Sequence, residues 1–281
     1  MQEKIALLTD SMCDLPREFI EKMGIKVVPA KVIYPDKEYS DRIDIQPEEV
    51  YGRMPEEIPT TAMPGLEDIK NAVENIKNEG FTHLLAVHIS SGLSGTSEAV
   101  EMVTRDIHDL KIKVIDSKTL SMGTGWMVLE AARNIASGIS FDKIVENMHK
   151  LQGKIHLYYI IETLEYLRRG GRIGHVAAML GQFLHLKPII SVNREGKYFT
   201  FCKAKGRKKS IEKLIQIVEE SVKDKQINLA VLHGGAGKDA DALIERLRKL
   251  PNIKEFISSD ISPVLGVHTG PGLLGVSFHE S

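Results

Sequence analysis

A chain of 281 residues exceeds the usual single-domain size and falls short of three domains, so two domains of unequal kind are expected. Its 42% apolar and 27% charged residues are those of a folded globular protein, and 37 lysines and arginines against 38 aspartates and glutamates leave a formal charge of -1, with no net field to draw it to nucleic acid or an anionic membrane. The chain opens without a basic and then apolar leader, no window reaches the length of a membrane span, and Cys13 and Cys202 stand far apart outside any Cys/His cluster, so a cytoplasmic protein with free thiols, no zinc and no stable membrane insertion is expected.

Taken in order, the pattern opens β-α-β: an apolar run over 5–9 closed by Thr9-Asp10-Ser11, a helical stretch after Pro16, and a strand-like run over 25–33. Alternation continues with a helix over 66–77, a strand over 83–89, a helix over 96–107, a strand over 112–115 and helices over 123–136 and 141–151. Such alternation predicts a doubly wound, mostly parallel sheet. From about residue 155 the pattern changes. A strand to 161, helices over 162–168 and 176–183, and a hairpin joining 189–193 to 197–201 through Glu195-Gly196 bring in antiparallel pairing. Helices over 208–222 and 239–250 flank a strand over 229–232, and a strand over 273–278 closes the chain. The expected fold is α/β in two domains: residues 1–153 with the parallel sheet, and residues 154–281 as an α+β domain with a mixed sheet.

The most informative motif is Ser90-Ser91-Gly92-Leu93-Ser94-Gly95-Thr96, between a strand and a helix. In an open parallel sheet ligands sit beyond the carboxyl ends of the strands, where the next helix offers unpaired N–H groups to an anion. Four hydroxyls and two glycines there suit a carboxylate or phosphate, although serine and threonine also serve as ordinary helix caps. The nucleophile elbow G-x-S-x-G is narrowly missed, because Thr96 stands in place of its last glycine. Thr9-Asp10-Ser11 and Asp116-Ser117 close two other strands and should reach the same edge. Thr60-Thr61-Ala62-Met63-Pro64 puts hydroxyls on a proline-stiffened loop, where Thr61 either donates to a ligand or starts the next helix. Arg168, Arg169 and Arg172 surround Gly170-Gly171, an arrangement suited to gripping an anion or to facing solvent. Gly270-Pro271-Gly272-Leu273-Leu274-Gly275 spells the dinucleotide fingerprint but lacks a following helix and an acidic ribose ligand. His268, just before it, can donate to an anion. No Walker motif and no histidine cluster at metal-ligand spacing is present.

The ordered set Thr9-Asp10-Ser11, Thr61 to Pro64, Ser90 to Thr96, Asp116-Ser117, Leu164 to Ile173, Lys187-Pro188-Ile189 and His268-Thr269-Gly270-Pro271-Gly272 resembles the DegV family over essentially the whole chain. The resemblance implies a non-catalytic, lipid-binding bacterial protein that encloses a long-chain fatty acid. It implies that Thr61, Ser94 and the Gly95 N–H hold the carboxylate, with Arg172 and His268 near the headgroup. It further implies presentation of that carboxylate to an ATP-dependent fatty acid kinase, giving an acyl phosphate for phospholipid metabolism, with no cofactor beyond the bound lipid. This chain reads Thr61-Ala62-Met63-Pro64 where the family pattern often reads Thr-Ser-Gln-Pro. The tail is expected against residues 176–186 and Ile189-Ile190. Two alternatives are a serine-dependent acyl hydrolase using Ser94 and a binder of another small anionic metabolite.

Overall fold

The computed structural model describes residues 3–181, 186–223 and 225–281. The first half contains β1 (Ile5–Asp10), α1 (Arg17–Lys22), β2 (Lys26–Val28), β3 (Lys31–Ile33), β4 (Glu38–Ser40), α2 (Pro47–Arg53), β5 (Thr60–Ala62), α3 (Leu66–Asn78), β6 (His83–His88), α4 (Thr96–Thr104), β7 (Lys111–Asp116), α5 (Met122–Ala136) and α6 (Phe141–Gln152). The second contains β8 (His156–Ile160), α7 (Glu165–Arg169), β9 (Lys187–Val192), β10 (Tyr198–Ala204), α8 (Gly206–Ser221), β11 (Ile227–Gly234), α9 (Gly237–Leu247), β12 (Ile253–Asp260), α10 (Pro263–Thr269) and β13 (Leu273–Glu280).

The first sheet runs β2-β1-β6-β7 and is parallel throughout. Its central strands are buried on both faces, which is why β1 and β6 read as nearly unbroken apolar runs. On one face α3 presents Ile69, Val73 and Ile76, one helical stripe, against Leu8, Leu84 and Ala86. The opposite face meets α5 and α6. The second sheet runs β10-β9-β8-β13-β11-β12, antiparallel except for the β11–β12 pair. The protein is thus a two-domain α/β molecule with one parallel and one mixed sheet. Helix α5 is buried nearly all round because it packs on strands of both sheets, and Trp126 Nε1 donates to the Ser277 carbonyl of β13 at 3.3 Å.

Four local expectations change. The run over 25–33 is two strands in different sheets: β2 stays in the parallel sheet, while β3 leaves to form a small antiparallel sheet β4-β3-β5. Thr61 sits on β5, opposite Val32, neither in a loop nor at a helix start. The helix expected over 176–183 is a 3-10 segment, Gly174–Met179, where described; Phe183 lies outside the described residues. Strand β12 and helix α10 were not anticipated.

Candidate functional site

Strand β6 ends at His88 and its continuation is positioned by the neighbouring strand ends. Asp10 accepts from the Ile89 N–H at 3.0 Å, and Asp116 from the Ser91 N–H at 3.2 Å. Ser90 N donates to the Thr119 carbonyl at 2.8 Å, and the Ser90 hydroxyl accepts from Gly92 N at 3.0 Å. The two Asp-Ser pairs do reach this edge, but as supports: their carboxylates hold the 89–91 backbone. Gly92 is needed for contact with the second domain, since a Cβ there would lie 2.8 Å from the Glu195 and Gly196 carbonyl oxygens of the β9–β10 turn.

That loop presents Ser94 to a pocket of about 40 Å³, whose lining also includes Thr61, Arg172 and His268. Four chain regions distant in sequence therefore converge. Ser94 Oγ lies 2.8 Å from the buried Thr96 hydroxyl, and Thr61 Oγ1 lies 2.8 Å from His268 Nε2. Arg172 Nε donates to the Leu93 carbonyl at 3.2 Å and Nη1 to the Gly170 carbonyl at 2.7 Å, so the guanidinium is tied to both the serine loop and its own turn. Gly95 does not line the pocket; it stands exposed at the cap of α4, where a Cβ would meet Met63 Sδ at 3.4 Å. Arg168 and Arg169 both pair with Glu165 and take no part.

His268 is 9% exposed, and burial, helped by the Arg172 charge, lowers its pKa to about 4. It is neutral near neutral pH, with one hydrogen to place. Its Nδ1 is buried without a partner, packed against Gly170 so tightly that a Cβ there would sit 2.0 Å from it. An orphaned N–H is costlier than an orphaned lone pair, so the hydrogen belongs on Nε2, donating to Thr61. The Thr61 hydroxyl hydrogen is then free to point at a ligand.

Helix α10 carries His268 into place from the second domain. Its N-terminal N–H groups are taken by buried carboxylates of the first: Ser262 N donates to Asp14 at 2.8 Å and Val264 N to Asp41 at 3.1 Å. Asp14 also receives Arg42 at 3.0 Å and the Ser121 hydroxyl at 2.5 Å. Adjoining this pocket lies an apolar cavity of about 20 Å³ lined by Leu120, Leu157, Leu232, Ile261 and Leu273, among others. Of the residues expected along the tail, Val176 and Ile190 belong to the same core cluster as this cavity's lining, Ile189 belongs to another, and residues 182–185 lie outside the described residues. A larger cleft of about 590 Å³ around Arg133 and His279 is remote from these residues, and Arg133 is spent on Glu130 and Glu255. Among the described residues no three His, Cys, Asp or Glu side chains gather as metal ligands, and no helix is long and apolar enough to cross a membrane.

Thr61, Ser94, Arg172 and His268 thus line one small pocket beside an apolar cavity. The family model described as "uncharacterised protein, DegV family" matches residues 4–281. A DegV domain-containing protein of Clostridium acetobutylicum is 47% identical over 274 residues, 98% of each chain. Among solved structures, a DegV-family protein of Thermus thermophilus, described for its fatty acid binding, superposes with a TM-score of 0.93 at 31% identity, covering 99% of this chain and 100% of its own. DegV of Bacillus subtilis, described as a fatty acid binding protein, gives a TM-score of 0.91 at 27% identity over 99% and 100% of the two chains. The chain belongs to the DegV family.

Proposed function

We propose that this protein binds a long-chain fatty acid, with the carboxylate held by Thr61 and Ser94 and the tail directed into the apolar cavity. The observation that carries this is the meeting of Thr61 and Ser94, from different elements, in one pocket that adjoins an apolar cavity. The solved relatives' fatty acid binding agrees with it, including a stearic acid-binding protein of Eubacterium ventriosum at 27% identity and a TM-score of 0.88. The energetics are favourable. At ~0.8 kcal/mol per buried methylene a chain of about sixteen carbons gains roughly 10 kcal/mol before the cost of association. An ionised carboxylate moved from water without partners would cancel much of that gain. The freed Thr61 hydroxyl, Ser94 and the positive end of α4 meet that need.

In this reading residues 1–153 supply most of the headgroup cradle and residues 154–281 most of the tail enclosure. The protein performs no chemistry alone and presents the carboxylate to an ATP-dependent kinase, with Arg172 and His268 beside the reacting group. A hydrolase fits less well: Ser94 is hydrogen-bonded to Thr96, while the pocket's imidazole is engaged by Thr61, so the nucleophile and base are not paired. Organic extraction of the purified protein followed by mass spectrometry should yield near-stoichiometric fatty acid, and repeated recovery of none would refute the reading. With the cognate kinase, Arg172→Ala should lose acyl phosphate formation by much more than it loses fatty acid affinity; equal losses would remove Arg172 from phosphotransfer.

A further inference from the structure

The pocket of Thr61 and Ser94 and the apolar cavity have two lining side chains in common, Tyr198 and Leu265. Both are buried, at 2% and 5% exposure. Each is fixed by backbone as well as by packing. Tyr198 stands on β10 opposite Val192, with its ring edge-on to Tyr159 at 5.7 Å. Its carbonyl oxygen would lie 2.8 Å from a Cβ on Gly174, so the strand cannot retreat in that direction. Leu265 lies in the first turn of α10, its N–H donating to the Ser262 hydroxyl at 3.4 Å. The N–H groups of Ser262 and Val264 beside it are held by Asp14 and Asp41 across the domain interface.

A ligand with its carboxylate at Thr61 and Ser94 and its tail directed into the apolar cavity runs past these two side chains. The passage adjoins the headgroup pocket, so it meets the first carbons of the chain and not the last. An unbranched methylene chain is slim there, whereas a methyl branch must displace a wall anchored by main-chain contacts. Extra volume in a packed site of this kind is poorly tolerated. We propose that Tyr198 and Leu265 form a width filter that admits unbranched acyl chains and rejects substituents near the carboxyl group; the proposal rests on the fatty acid reading above. A branch at the far end lies beyond the filter and escapes it.

The test is competition binding to delipidated protein, comparing palmitate, palmitate with a methyl on the β carbon, and palmitate with a methyl at the ω end. The wild-type protein should bind the β-branched acid about tenfold or more weakly than palmitate, with the ω-branched acid much nearer to palmitate. Leu265→Ala should shrink the palmitate to β-branched ratio whatever it does to either affinity. Tyr198→Phe, which keeps the ring, should retain the discrimination that Tyr198→Ala loses. Equal wild-type binding of palmitate and the β-branched acid would overturn the filter and leave the fatty acid reading standing. Absence of any palmitate binding would overturn both.

Discussion

Thr61 and Ser94 differ from ordinary surface hydroxyls because each already has one partner chosen for it. His268 donates to Thr61 and Thr96 shares a hydrogen with Ser94, so each oxygen is oriented before a ligand arrives. Preset donors contribute more to binding than donors that must first be ordered. Thr61→Val and Ser94→Ala should each weaken palmitate binding by about tenfold to a hundredfold, measured by calorimetry, as expected for a hydrogen bond to a charged group; an unchanged affinity for either would exclude that hydroxyl. Gly170 makes a second test. A methyl at this position would occupy the place of His268 Nδ1, so Gly170→Ala should drive the imidazole from Thr61 and reduce affinity although residue 170 touches no ligand. Retained affinity would show that the His268 contact with Thr61 is dispensable.

Helix α10 is where the two domains exchange control. Two carboxylates from the first domain hold its N-terminus, and its C-terminal turn delivers His268 to the first domain's β5. Burial pushes the Asp41 carboxyl up to about 7. Between its ordinary value and about 7 the folded state holds a proton that the unfolded chain has released, so this group's contribution is fully present at low pH and is lost as pH rises through that window. His268 has the opposite sense, favouring the folded state above the ordinary histidine range and losing that favour as pH falls toward about 4. Urea melts across pH 5 to 8 should show the wild type losing stability relative to Asp41→Asn as pH rises; parallel curves would mean that Asp41 carries no buried charge cost. Little of this was legible in the sequence. Pro263–Thr269 is short and apolar with no polar stripe to mark a helix, and β5 is three residues long, too short for a period of two to register. The Ser90–Thr96 turn was legible, because an apolar strand, a small polar turn and a helix pattern follow one another in sequence without a tertiary contact to complete them.

The molecule as a whole reads from its sequence as far as alternation carries: a parallel sheet first, a mixed sheet second. What alternation does not contain is how the two halves face each other. That facing is made by α5, buried between both sheets, and by Asp14, which gathers Arg42, Ser121 and Ser262 at the interface. For the same reason the lining of the apolar cavity was not legible: Leu120 precedes α5, Leu157 and Leu232 come from two strands of the second sheet, and Leu265 from α10, so only tertiary packing makes them neighbours. A ligand seated across that interface binds the folded protein and not the unfolded chain, so palmitate at about a hundred times its Kd should add roughly 2.7 kcal/mol to stability. Thermal melts of delipidated and palmitate-loaded protein should separate accordingly, and coincident melts would mean that palmitate does not bind the folded protein.

The most direct measurement is a double-mutant cycle of palmitate affinity over wild type, Thr61→Val, Ser94→Ala and the double variant. If one carboxylate bridges both hydroxyls, the double variant loses clearly less than the product of the single losses, because the first loss already frees the headgroup from the other contact. Losses that simply multiply, or no loss at all, would mean that Thr61 and Ser94 do not share a ligand.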